Sequence, residues 1–207
     1  MQRPPGLMPT CFATVLAAST VTLPAVPAAA FELATPEGLG PVPWLASPEK
    51  AAKATNGKLE RSCSEAERKS RREAFGVNCD SVTFDATIGG HAVRMKTSFS
   101  DRGLVSGTAT LKIGQDDVPN SKLTVACTDI AEALQATYGP EYKRKTKVEQ
   151  YGEDSYAWVS IRYRSAHSEV SLFCRYDIFK GTGYSLLTFD HLPYARLRDK
   201  LLGFGPE

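Results

Sequence analysis

The chemistry open to this chain rests first on five cysteines and three histidines. A thiolate beside an imidazole makes a nucleophile, closely spaced thiols and imidazoles hold zinc, and thiols in an oxidising compartment pair as disulfides. Spacing separates these possibilities. Cys11 lies near the start of the chain, and Cys63, Cys79, Cys127 and Cys174 are far apart, without the short intervals of a metal site. His91, His167 and His191 show no ligand spacing either, so no metal and no cofactor is expected. There is no Gly-x-Ser-x-Gly elbow, Walker loop, dinucleotide fingerprint or His-Glu-x-x-His helix, so no catalytic residue is assigned. The alternative is a small extracytoplasmic, hydrolase-like enzyme using His191, beside Asp190, or a cysteine left free. Adjacent residues of a strand point to opposite faces, which argues against a paired His191 and Asp190.

The compartment sets the cysteine chemistry. Residues 1–30 read as a secretory signal peptide: Arg3 near the start, a low-charge apolar stretch from Cys11 to Val26, and small residues at Ala28-Ala29-Ala30. Thr20, Thr22, Pro24 and Pro27 break that stretch, and no later segment has the ~20 apolar residues a spanning helix requires, so no transmembrane segment is expected. Met8-Pro9-Thr10 before Cys11 is unlike the small residues that precede an acylated cysteine. Periplasmic or secreted localisation follows. Four cysteines then remain, the even number of two disulfides. Three pairings are open, and local periodicity favours Cys63 with Cys79 and Cys127 with Cys174.

Helix and strand patterns supply that support. From Asn120 to Tyr138, Leu123, Cys127, Ile130, Leu134 and Tyr138 recur at helical spacing, stopped by Gly139-Pro140. Tyr156–Arg164 and Glu169–Ile178 alternate as two strands of a hairpin around Ser165–Ser168. A four-residue loop sets Ile161 opposite Leu172 and Val159 opposite Cys174 on the inner face, where the helix must pack. On the outer face it sets Arg164 opposite Glu169, Trp158 opposite Arg175 as a cation over a ring, and Tyr156 opposite Asp177. A one-residue slip would bury those charges.

The first half follows similar rules. Ser47-Pro48-Glu49 starts a helix of about two turns that Asn56-Gly57 ends. Val82–Ile88 and Val93–Phe99 form a hairpin about Gly89-Gly90, with Phe84 facing Met95 and Asp85 facing Arg94. A third strand, Leu104–Ile113, carries Val105, Ala109, Leu111 and Ile113 inward. Between the first cysteines, Glu60–Glu73 is a solvated helix or loop with Glu65–Lys69 and Glu67–Arg71 at i,i+4 spacing. A strand from Tyr184 to Asp190 and a helix from Pro193 to Leu202 follow. The fold class is α+β: an antiparallel sheet of about six or seven strands with helices packed on one face, and a helix-then-strands order occurring twice. Residues 31–46 are an extended N-terminal segment and 47–207 a single domain.

Two surfaces bear on binding. Lys143, Arg144, Lys145 and Lys147 read as a charged edge that discourages sheet-to-sheet association. Beside it, Tyr156, Trp158, Arg162, Arg164, Phe173 and Arg175 are displayed together on the outer face of the hairpin, with the aromatic and arginine enrichment of interface hot spots. A protein or anionic partner is expected there, unless the C-terminal segment covers the face. A net charge of +2 from 25 basic and 23 acidic residues lacks the footprint of a nucleic-acid binder.

Pro43-Trp44-Leu45-Ala46-Ser47-Pro48-Glu49, the helix end Leu134-Gln135-Ala136-Thr137-Tyr138-Gly139-Pro140 and the Trp158 hairpin together resemble small exported bacterial α+β modules of the β-lactamase-inhibitor-like and outer-membrane-assembly-lipoprotein-like kinds. The resemblance spans most of residues 43–190. It implies short helices on one face of an antiparallel sheet and an exported, non-catalytic protein-binding or inhibitor-like module of the bacterial envelope. The chain departs from the assembly lipoproteins in having no acylation cysteine after its apolar stretch.

Overall fold

The computed structural model describes residues 31–61, 63–113, 121–151, 154–177 and 183–201. The signal peptide expected over 1–30 lies outside them. The fold is α+β. A small meander of two-residue strands, β1 (Ala34–Thr35), β2 (Gly38–Leu39) and β3 (Val42–Pro43), leads into α1 (Pro48–Thr55). Then come β4 (Lys58–Glu60), α2 (Glu65–Phe75), β5 (Ser81–Ile88), β6 (His91–Ser100), β7 (Gly103–Ile113) and α3 (Ser121–Tyr138). The remainder is β8 (Lys143–Tyr151), β9 (Asp154–Arg164), β10 (Ser168–Asp177), β11 (Gly183–His191) and α4 (Leu192–Leu201).

Strands β4 to β11 form one antiparallel sheet of order β4-β5-β6-β7-β11-β10-β9-β8. From the central β7–β11 contact the numbering falls outward on both sides, so each half is a four-stranded meander. The sheet thus has eight strands and not six or seven, because β4 and β8 carry too few apolar residues to signal themselves. The helix-then-strands order is also interrupted, since α2 falls between β4 and β5.

Local chemistry accounts for the helix ends. Ser47 caps α1 by accepting from the Lys50 amide at 3.3 Å, and Asn56 closes it at φ 51°. Ser64 and Glu67 form a capping box on α2. The Glu67 carboxylate is therefore turned back to Ser64, which holds its pKa below the usual carboxylate value, and the i,i+4 pair found on α2 is Lys69–Glu73 at 3.9 Å.

The core lies on the inner face, under α1, α3 and residues 31–46. That N-terminal segment is built into the fold: Leu33, Leu39 and Val42 are at most 1% exposed, and the Leu33 amide donates to Thr87 O at 2.9 Å. Two glycines admit these layers. A Cβ on Gly107 would lie 2.5 Å from the Leu39 side chain, and one on Gly89, at φ 55°, would lie 2.6 Å from the Asp129 carbonyl of α3. Cys127, Ile130, Leu134 and Tyr138 of α3 face inward. Tyr138 donates its hydroxyl to Thr35 O at 2.7 Å, and Tyr163 donates to Ala131 O at 3.0 Å. Both expected disulfides are present, Cys63–Cys79 and Cys127–Cys174, with Cα separations of 6.0 and 6.5 Å. No helix among the described residues is long and apolar enough to cross a membrane.

The helices do not all share one face. Register runs Ser98↔Ser106 and then Phe99↔Leu104, so Val105 is an extra, bulged residue. The bulge moves Val105 out of the inward set and into a second apolar cluster with Val77 and Tyr194. There α4 packs against α2, with Tyr194 donating its hydroxyl to Phe75 O at 3.0 Å. Arg198 of α4 meets Asp190 on the outer face at 2.6 Å.

Candidate binding face

Register brings four of the six expected residues into one cluster. β9 and β10 pair as Arg164↔Glu169, Trp158↔Arg175 and Tyr156↔Asp177, and β10 and β11 as Phe173↔Leu186 and Arg175↔Tyr184. Phe173 is thus the diagonal neighbour of both Trp158 and Tyr184, a separation that aromatic side chains span. The ring centroids lie 5.9 Å apart for Trp158–Phe173 and 6.0 Å for Phe173–Tyr184, tilted by 37° and 46°. Arg175 sits directly opposite both Trp158 and Tyr184. Its guanidinium lies 4.0 Å over the Tyr156 ring, so the cation meets Tyr156 and not Trp158. Trp158 takes Phe173 as its ring partner instead.

Arg162 and Arg164 belong to a different group. Both face Glu169, at 3.7 and 2.6 Å, and Glu169 is only 2% exposed. Arg164 also lies 4.4 Å over the Tyr142 ring. Its hydrogen bond to Glu169 raises the Arg164 pKa, and burial, with Glu169 adding to it, raises that of Tyr142. A buried carboxylate shared by two guanidinium groups is a satisfied ion cluster. These arginines hold the end of the hairpin and are less available to an anion than Arg175.

Tyr184 was missing from the sequence set. Its strand was expected, and alternation alone would have turned Tyr184, Leu186 and Thr188 to one face. What the residues did not contain was the pairing of β10 with β11. The described part of α4 sits at the Asp190 end of the face, while Trp158 and Phe173 remain half-buried and Tyr184 exposed.

A second feature lies on the inner face. α3 packs over β9, β10 and β11 and leaves β8 standing beyond it, so a groove of about 560 Å³ opens between them. The Cys127–Cys174 disulfide forms part of its wall, with Ala131 and Gln135 of α3 and Ala157, Val159 and Tyr176 of the sheet. Its size is that of small-ligand sites.

The residues able to do chemistry are dispersed. His91 meets Asp129 of α3 at 2.9 Å, and His167 lies 3.8 Å from Glu37. His191 packs near Trp44, with 5.8 Å between ring centroids, and burial lowers its pKa, with His167 adding to the effect. Asp190 faces the opposite side of the sheet, and burial raises its pKa against the attraction of Arg198. His191 and Asp190 therefore form no dyad. The four described cysteines are paired, and among the described residues no three His, Cys, Asp or Glu side chains gather to hold a metal. Comparison with protein-family models, curated proteins and solved structures finds no match for this chain.

Proposed function

We propose that this is an exported, non-catalytic binding or inhibitor-like module of the bacterial envelope, docking a protein or anionic partner on the outer face of β9–β11. The observation that carries the reading is the Trp158–Phe173–Tyr184 ladder with Arg175 set among its rings. Aromatic and arginine side chains on a rigid sheet offer large contact area at little entropic cost, and such residues dominate interface energetics. Two disulfides and the composition of residues 1–30 support export to the periplasm or beyond the cell. The resemblance to β-lactamase-inhibitor-like modules supports a protein as the partner.

The test is crosslinking affinity capture from the envelope of the native host. Arg175 replaces Arg162 as the charged residue to remove, because Arg162 neighbours a buried carboxylate. A Trp158→Ala/Arg175→Ala double variant that keeps its circular dichroism should lose the captured partner. Unchanged capture by that folded variant would sink the reading.

A further inference from the structure

The two edges of the large sheet are guarded unequally. β4 closes one edge with three residues, and β8 closes the other with nine. Unpaired amides and carbonyls along an edge of that length template another strand, and proteins blunt such edges by shortening, proline, bulges or charge. β4 is short. β8 contains no proline and pairs with β9 in unbroken register from Lys143↔Arg162 to Tyr151↔Asp154, so charge alone guards it, through Lys143, Arg144, Lys145 and Lys147. Positive charge repels a second copy of the same edge, and the same Coulomb interaction draws in an acidic strand.

Register also sorts the two sides of this edge. Lys143, Lys145 and Lys147 share the outer face with Arg162 and Trp158, while Arg144, Thr146 and Val148 take the inner one. Lys147 and Arg144 have carboxylates of their own chain nearby, Glu149 at 2.8 Å and Glu141 at 2.7 Å, whereas Lys145 makes no ion pair among the described residues. Val148 is 63% exposed, more than any other large apolar side chain described. Arg144 and Thr146 line the groove beneath α3. A strand laid against β8 would meet ammonium groups on one side and, on the other, Val148 and the mouth of that groove.

We propose that β8 accepts an extended segment of alternating acidic and apolar residues as a ninth strand, with its carboxylates toward Lys143, Lys145 and Lys147 and its apolar side chains toward Val148. Main-chain hydrogen bonds supply affinity, and the basic edge selects the acidic partner. The proposal concerns the edge and stands even if the aromatic ladder binds nothing.

The probe is a fluorescein-labelled peptide alternating glutamate and valine, titrated into the full chain by anisotropy. It should bind saturably and weaken with added salt, while its lysine–valine counterpart should not bind. Lys143→Glu/Lys145→Glu should weaken binding by about tenfold or more, and the charge-matched control Arg68→Glu/Arg71→Glu, on exposed α2, should not. N-methylation of every second peptide amide should abolish binding in one phase and spare it in the other, since a strand offers alternate amides to its neighbour. Failure to bind, equal binding by both N-methylated peptides, or indifference to Lys143→Glu/Lys145→Glu overturns the proposal. So does dimerisation through β8, detected by sedimentation, in place of peptide binding.

Discussion

In β4–β7 the inner face is covered by α1, by the 31–46 meander and by the part of α3 that meets Gly89, whereas in β8–β11 α3 is the main cover and its reach ends before β8. Buried apolar residues follow this difference. Val82, Phe84, Ile88, Met95, Phe99 and Leu104 are at most 4% exposed in the first half. In the second, Ile161, Leu172 and Leu187 are buried, yet Ala157, Val159 and Tyr176 line an open groove. Two meanders of like strand count therefore separate tasks: one supplies most of the close packing, and the other presents aromatic and basic surface. The open half compensates for its thinner cover with a covalent tie, since Cys127–Cys174 fastens α3 to β10.

Truncation should break the comparison most sharply. Phe99→Ala, in the closed half, should cost about 3–5 kcal/mol in urea unfolding, through lost transfer energy and an unfilled cavity. Trp158→Ala, half-buried on the open face, should cost less than about 1 kcal/mol. Equal losses would mean that the open face is packed as tightly as the closed one. Removing the bridges comes next. Cys127→Ala/Cys174→Ala should cost about 4 kcal/mol and Cys63→Ala/Cys79→Ala about 3 kcal/mol, because the longer loop restricts the unfolded chain more. Hydrogen exchange should sharpen the contrast, with α3 losing protection in the first variant and α1 keeping it in both.

The smallest effect is expected at His191, where the N-terminal segment meets the second half. Burial depresses its pKa in the folded state, so the unfolded chain binds the proton more readily. Its contribution to stability is then present above the ordinary histidine value near 6.5 and lost as pH falls through that value toward the folded one. His191→Gln should flatten this part of the stability–pH profile, measured by thermal melts between neutral and mildly acidic pH. A wild-type profile steepened by the substitution would contradict the burial argument.

The hairpins were legible because their information is local. Opposite charges at Arg164 and Glu169, and at Asp85 and Arg94, sit at positions that only one register can satisfy, and both registers occur. The α1 cap and the inward face of α3 were legible for the same reason. Arg162 and Arg164 were assigned to the binding surface because exposure on an outer face looks the same whether a charge is free or shared with a buried Glu169. Val105 was assigned inward because alternation has no means of registering a bulge. The meander over 31–46 was invisible as structure, since its strands are two residues long and gain their apolar burial from the sheet beneath them.

The sequence by itself determined which residues alternate, which helix face is apolar and which cysteines those patterns bring together, because each is set by neighbours a few positions away or by one short loop. Only the tertiary structure decided that β7 lies against β11, that β8 is a long edge and β4 a short one, and that Tyr184 completes the ladder begun by Trp158. Those facts depend on pairing between strands far apart in the chain, for which the local pattern offers many partners of similar energy. The assembled core selects one by burying Leu33, Leu39 and Val42 over a sheet that only that order provides.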